Sequence, residues 1–250
     1  MKETKTIASV SKAFKILDYI SDKKEVGATD ISHGLGMGTS ATYHILNTLK
    51  LEGVLHQDPV TKKFRLGIKL WQLGNRAYAQ YDIGKQVAPF FKRLRDETGE
   101  TINLTMLEGT EIIYLAQEES KKLVKMFTVT GAKAPLYCTG GGKAMLAFRS
   151  KEDQDNIIES LSFEAFTENT ITDPKTFKGV LEKVKKEGVA YDEEEREVGV
   201  CCIAVPIFKN QEALYSVSIS GPCLRFTPDK RKEYESLLKE TAEEIGNHLW

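Results

Sequence analysis

No apolar run in this 250-residue chain approaches the ~20 residues that a membrane-spanning helix needs. The opening stretch MKETKTIASV also lacks the apolar segment of a secretory leader. No membrane partner is expected, and a cytoplasmic location follows. Cysteine is scarce: Cys138, Cys201, Cys202 and Cys223. None forms a CxxC pair and none has a histidine at zinc-finger spacing. A disulfide framework is not expected in an intracellular chain of this size. Histidine is missing where chemistry would need it. His33, His44, His56 and His248 leave residues 58–247 without one, so a Cys or Ser nucleophile there has no imidazole partner. No catalytic residue, cofactor or metal is therefore expected.

Charge of one sign is lacking too. The chain carries 35 Lys/Arg against 36 Asp/Glu, a net charge of −1, which excludes a polycation. The distribution is less even. Residues 1–67 hold ten basic and seven acidic residues, a net +3, and the remainder is −4. That asymmetry favours phosphate contact at the N-terminal end. Hydrophobic content of 41% and charged content of 28% fit a globular protein of one large or two ordinary domains.

What is present is most informative over residues 26–66, VGATDISHGLGMGTSATYHILNTLKLEGVLHQDPVTKKFRL. Ser9 or Ser11 can cap a preceding helix, in which Val10, Phe14, Leu17 and Ile20 or Tyr19 recur at helical spacing. Thr29 can cap a second helix with Ile31 and Leu35 inward. Gly36-Met37-Gly38 turns the chain, and a third helix runs from Thr39 or Ser40 to about Glu52. Its Ala41, Ile45, Leu46 and Leu49 are expected inward. Thr39, Ser40, Thr42, Tyr43, His44 and Asn47 are expected on the exposed face, where short polar side chains suit base edges and phosphates. Val54–Gln57 and Lys63–Leu66 read as a hairpin around Asp58-Pro59-Val60-Thr61-Lys62, with Lys62, Lys63 and Arg65 supplying positive charge. Three helices, a glycine turn and a hairpin in that order make a winged helix-turn-helix, and operator DNA is the expected partner.

Residues 68–80 continue in helical register as a linker, its apolar side open either to a second subunit or to its own chain. Beyond it the pattern predicts a helix over 83–98 and a hairpin of INLTML and EIIYLAQE. LVKMFTVT reads as a third strand. A loop enters a short helix at Gly140-Gly141-Gly142-Lys143, and helices follow at 151–161 and after Asp173-Pro174. CCIAVPIF and ALYSVSISG read as strands, and a last helix opens at Thr227-Pro228-Asp229. Helices flanking a mostly antiparallel sheet imply an α+β domain.

Three clusters there invite chemistry. The triple glycine fails as a phosphate loop, because Tyr137 and Ala144 stand where a Gly and a Ser or Thr are required. It still turns backbone N–H groups toward a small anion, or makes a tight turn with no ligand. Asp192 to Glu197 is an acidic run of the kind that is usually solvated, although Asp192 directly follows a strand-like segment and could point inward. Cys201 and Cys202 are adjacent on a strand and so face opposite ways. A Cys202 hydrolase and a thiol sensor using Cys201 and Cys202 are the readings that compete with a ligand-responsive DNA-binding protein. Ser218 and Ser220 share one strand face.

The wing ending in KFRLG, the segment GAKAPLYCTGGGKAMLA, the segment GVAYDEEEREVGVCCIAVPIF and VSISGPCLRFT, in that order and spacing, resemble IclR-type transcriptional regulators over nearly the full length. The resemblance implies a winged helix-turn-helix over 1–67, a linker helix over 68–81 and a GAF-like α/β effector-binding domain over 82–250. It implies a homodimer or tetramer that regulates, most often represses, a catabolic operon. The implied effector is a small molecule, a carboxylate or sugar acid. Carried over by position, its pocket is lined by Leu123, Met126, Gly140, Gly141, Asp192, Val200, Cys202, Ser218 and Ser220. The glycine pair would offer N–H groups and the serines hydroxyls. Some relatives hold a metal in this domain. Here Cys202 and Asp192 have no histidine in reach by sequence, and none is expected.

Overall fold

The computed structural model describes residues 6–81 and 83–249, apart from the side chains of 78–81. The expected outer limits, Met1 and Trp250, and the expected domain start at Asp82 lie outside the described residues. Backbone contacts divide the chain into two compact units, 1–81 and 82–250.

The first unit runs α1 (Ala8–Ser21), α2 (Ala28–Gly34), α3 (Thr39–Leu51), β1 (Leu55–Gln57), β2 (Phe64–Leu66) and α4 (Ile68–Tyr81). Its core is Ile16, Ile20, Val26, Ile31, Leu46, Leu55 and Phe64. The turn between α2 and α3 is closed by Ser32, whose Oγ donates to the Met37 carbonyl at 2.6 Å, and by Gly36 at φ +60°. Two local expectations are corrected. α1 starts after Ile7 with no side-chain cap, and its buried residues are Ile16 and Ile20, while Val10 and Phe14 stay exposed. Two apolar stripes fit the same helical period there, and the one that meets α3 and β2 is buried. α2 is entered from Gly27, which leaves Thr29 inside the helix and not at its cap.

The second unit contains α5 (Ile83–Thr98), β3 (Thr101–Glu108), β4 (Glu111–Glu118), β5 (Lys133–Pro135), α6 (Gly140–Leu146), α7 (Lys151–Ser160), α8 (Pro174–Glu187), β6 (Ala190–Glu193), β7 (Val200–Lys209), β8 (Glu212–Pro222) and α9 (Pro228–Leu249). The strands form one antiparallel sheet in the order β5-β4-β3-β8-β7-β6. Strand alternation gives its two faces different chemistry. On one face Ile203, Ile219 and Ile102 pair in a row, as do Val205, Val217 and Leu104, and these bury against α5 and α9. On the other face the rows read Cys202, Ser220, Thr101, then Ala204, Ser218, Asn103, then Pro206, Ser216, Thr105. α6 covers part of this polar face. It belongs to a second core with Ile158 of α7 and Phe177, Leu181 and Val184 of α8. Ser150, Asp173 and Gly188 cap these helices as their sequence positions predict.

Two expectations fail in this unit. LVKMFTVT joins no ladder. Residues 121–132 form an irregular strap, and the short β5 takes the sheet edge instead. Side-chain hydrogen bonds from Thr101 and Thr128 hold the strap where strand pairing is expected, and backbone bonds to β4 return only at Gly131 and Ala132. Cys201 and Cys223 form a disulfide across 22 residues, against the expectation of none. The antiparallel register sets Cys201 opposite Gly221, which carries Cys223 to the same place. Cellular compartment says nothing about that register. The partner of Cys201 is thus not Cys202, which keeps a free thiol on the opposite face.

Candidate functional site

In the first unit, Thr39, Ser40, Tyr43, His44 and Asn47 all lie exposed on α3. Thr42 does not join them. It is fully buried, and its Oγ1 donates to the Gly38 carbonyl at 3.1 Å. The inward stripe is Thr42, Ile45, Leu46 and Leu49, and Ala41, expected inside, is exposed. The expected face is one residue out of phase because a threonine methyl packs as well as an alanine. The hairpin is set by Asp58, whose carboxylate accepts from Val60 N at 2.9 Å and Thr61 N at 2.7 Å. Those backbone hydrogen bonds hold its carboxyl below the usual carboxylate range. Lys62 takes φ +60° beyond it, and Lys62, Lys63 and Arg65 are exposed. A tie between helix and wing carries no mark in the sequence. Lys50 Nζ donates to Gln57 Oε1 at 2.9 Å, and Gln57 Nε2 donates to the Lys62 carbonyl at 3.0 Å.

The second unit encloses a cavity of about 490 Å³ over the polar face of the sheet. Met126, Gly140, Gly141, Asp192, Val200, Cys202, Ser218 and Ser220 meet around it. Leu123 does not, for it is fully exposed. The strap reaches the cavity only from Lys125 onward, and Leu123 lies before that stretch, next to Lys122, which turns to Glu100 instead. Sequence reasoning missed Thr105, Tyr114, Thr128 and Arg196, which also line the cavity. Thr105 was findable from the alternation Thr101, Asn103, Thr105. Arg196 was hidden in an acidic run, and its guanidinium lies 3.9 Å from the ring centre of Phe166.

The floor is a hydrogen-bonded net. Asn103 Nδ2 donates to Ser220 Oγ at 3.3 Å, and Asn103 Oδ1 accepts from Thr128 Oγ1 at 3.0 Å and Gln117 Nε2 at 3.2 Å. Thr105 and Ser216 hydroxyls lie 2.8 Å apart, and Ser220 Oγ donates to Cys202 Sγ at 3.2 Å. The three glycines are a packing device. A Cβ would lie 3.1 Å from Ala204 Cβ at Gly140, 2.6 Å from Thr105 Oγ1 at Gly141, and 2.2 Å from the Leu136 carbonyl at Gly142. Gly140 and Gly141 thus let α6 approach the sheet closely, and Gly142 lets it pack on the Leu136 backbone.

Two residues of the acidic run are buried. Asp192 accepts from Glu195 N at 2.8 Å, and burial raises its carboxyl to about 6 even though Lys143 and the backbone donors oppose the shift. Glu195 pairs with the buried Lys143. Burial pushes the Cys202 thiol up to about 11 and the Cys138 thiol up to about 12. Cys202 is thus a poor nucleophile at neutral pH, which counts against the hydrolase reading. Among the described residues no group of three or more His, Cys, Asp and Glu is arranged to hold a metal ion. No described helix is long and apolar enough to cross a membrane.

The chain matches known proteins along most of its length. Residues 75–247 match the bacterial transcriptional regulator IclR C-terminal domain, and residues 9–59 match the IclR helix-turn-helix domain. The HTH-type transcriptional regulator KdgR of Escherichia coli (strain K12) is 34% identical over 249 residues, covering 99% of this chain and 95% of that protein. The transcriptional repressor IclR of Escherichia coli (strain K12) is 28% identical over 246 residues, covering 97% and 90%. The crystal structure of the Thermotoga maritima IclR superposes with a TM-score of 0.73 at 33% identity, covering 96% of this chain and 98% of that one. A winged helix-turn-helix, an α/β unit with a polar-floored cavity and matches across both units place the chain in one group: it belongs to the IclR family of DNA-binding transcriptional regulators.

Proposed function

We propose that this chain represses a catabolic operon, and that a small carboxylate or sugar acid in the cavity changes its affinity for operator DNA. The observation that carries the reading is the cavity itself. It is large enough for a small metabolite, floored by Ser218, Ser220 and Thr105, and edged by Arg196. Hydroxyls and a guanidinium suit an oxygen-rich anion. Ser40, Tyr43, His44 and Asn47 of α3 read base edges, and Lys62, Lys63 and Arg65 meet the backbone. Effector binding acts through linkage: a ligand that prefers one arrangement of the two reading heads shifts the population toward it.

The reading includes a homodimer, and pairs of dimers on longer operators. Ile68, Trp71 and Leu73 on α4 are not buried by the rest of the first unit, which supports cover by a second subunit. The test is binding of the purified full chain to its own upstream DNA at stated salt, with and without a panel of small carboxylates and sugar acids. One compound that shifts affinity supports the reading and names the effector. Specific binding indifferent to every compound removes the effector claim, and no specific binding removes the operator claim.

A further inference from the structure

The structure assigns Glu100, which lies outside the cavity, as the positioning residue that latches one wall of it. This rests on reading the cavity as the effector site. Its wall is the strap between β4 and β5, which contributes Met126, Phe127 and Thr128. The strap has no ladder partner over 121–132, and backbone hydrogen bonds of Gly131 and Ala132 with Tyr114 tie its end to β4. Ser120 Oγ donates to the Gly99 carbonyl at 2.6 Å, and Thr101 Oγ1 donates to the Met126 carbonyl at 3.2 Å. Thr128 reaches Asn103 at the far end. Between these points the fastening is ionic: Lys121 meets Asp96 at 2.8 Å, Lys125 meets Glu119 at 2.6 Å, and Lys122 meets Glu100, which alone of the three carboxylates is buried.

Glu100 is fully buried between α5 and β3. Its Oε1 lies 2.7 Å from Lys122 Nζ on the strap and 2.9 Å from Arg225 Nε. Arg225 Nη2 in turn donates to the Val124 carbonyl at 2.6 Å. Glu100 thus grips the strap twice, directly through Lys122 and indirectly through Arg225. Gly221 makes room for it, since a Cβ there would lie 2.4 Å from Glu100 Oε2. Arg225 belongs to the short turn Cys223–Arg225, which the disulfide fastens to Cys201 at the head of β7, beside Val200 and Cys202 of the cavity. Both ends of the latch are therefore fixed to elements that carry cavity residues. A buried carboxylate is costly without its cations. Lifting the strap removes Lys122 and frees Arg225 from Val124, so the strap-down state, in which Met126 and Thr128 wall the cavity, is the one that Glu100 favours.

The test needs no effector. Cys202 lines the cavity behind the strap, whereas Cys138 is the other free thiol and is buried in the second core. The full chain is treated with methyl methanethiosulfonate, and labelling of each cysteine is followed by mass spectrometry. Trypsin cleavage after Lys121, Lys122 and Lys125 is followed in parallel. Glu100→Gln is expected to raise both Cys202 labelling and strap cleavage about tenfold, the equivalent of one charged hydrogen bond lost, with Cys138 unchanged. Arg225→Met, a change at a partly exposed residue, is expected to do the same and decides the matter if Glu100→Gln does not fold. Cys202 rates within about twofold of the parent, or Cys138 rising in step with Cys202, overturn the assignment. In a separate arm the panel of small carboxylates is added to the parent; faster Cys202 labelling in the variants together with no protection of the parent Cys202 by any of them would count against the effector reading and leave the latch standing.

Discussion

Lys143 Nζ lies 2.5 Å from Glu195 Oε1, with the lysine side chain 1% and the glutamate side chain 10% exposed. The pair joins α6 to the connection between β6 and β7, and thereby fixes Gly140 and Gly141 relative to Asp192 across the cavity. Breaking it leaves a buried charge without its partner. Lys143→Met is expected to cost about 3–5 kcal/mol, and Lys143→Met with Glu195→Leu to recover most of that. Urea unfolding of the two variants checks this. A double variant as unstable as the single one would sink the account.

Asp192 gives a pH dependence of defined sign. Burial holds its carboxyl at about 6, above the ordinary 3.8. The folded chain therefore keeps a proton that the unfolded chain has released. The stability this contributes is complete below the unfolded value and is lost as pH rises through about 6. Asp192→Asn has no such dependence, so relative to the parent it is expected to gain about 2–2.5 kcal/mol between pH 4 and pH 8. Thermal unfolding at the two pH values measures the gap. A gap that is the same at both would mean that Asp192 titrates normally.

The same carboxyl bears on an anionic effector. A ligand carboxylate beside ionised Asp192 meets like charge, and beside the protonated form it does not. Affinity for such a ligand is expected to fall as pH rises above about 6 in the parent and to stay flat in Asp192→Asn. Isothermal titration across that range distinguishes the two, and an affinity that rises with pH would contradict the proposed ligand class.

Of the glycines, Gly142 should tolerate a side chain least. Its added Cβ would meet the Leu136 backbone at 2.2 Å, whereas at Gly141 the obstacles are two hydroxyls, at 2.6 and 2.8 Å. Gly142→Ala is expected to lose at least about 1–3 kcal/mol from overpacking, and Gly141→Ala less. Equal losses in thermal unfolding would argue against the steric account.

The buried position of Thr42 separates stability from DNA reading. Thr42→Val keeps the shape and is expected to leave operator affinity within about twofold, while Asn47→Ala loses about 1–3 kcal/mol of base discrimination. Arg65→Ala is expected to lower the salt slope of binding by about one. Operator titrations at several salt concentrations check all three. A collapse of binding in Thr42→Val with the fold intact would restore that residue to the contact face.

Elements with a strong period or a capping signal were legible from the chain. α5, α8 and α9, the β3–β4 hairpin and the winged order of the first unit all follow from spacing and punctuation. Phase was harder. In α1 and α3 two neighbouring stripes satisfy the same period, and only the packing partner decides between Val10 and Ile16, or between Ala41 and Thr42. Contacts made across the sheet were not legible. The disulfide between Cys201 and Cys223 depends on the β7–β8 register, and the Leu123 assignment failed because the strap, which belongs to no ladder, reaches the cavity only from Lys125 onward. Met126, Asp192, Cys202 and the two serines do line the cavity. Thr105 shares the polar alternation of β3 and could have been read from it, whereas Thr128, on a strap outside the sheet, carries no mark of what it faces.

The two-faced sheet has a consequence for how such a protein changes over time. Along β7, β8 and β3 the residues that hold the domain together alternate with those of the polar face, among which Cys202, Ser218, Ser220 and Thr105 line the cavity. Each strand thus carries two interleaved texts. Exchanges among serine, threonine, asparagine and cysteine rewrite one of them without altering a letter of the other, so the lining of the cavity can change with the apolar face and its helices left as they were.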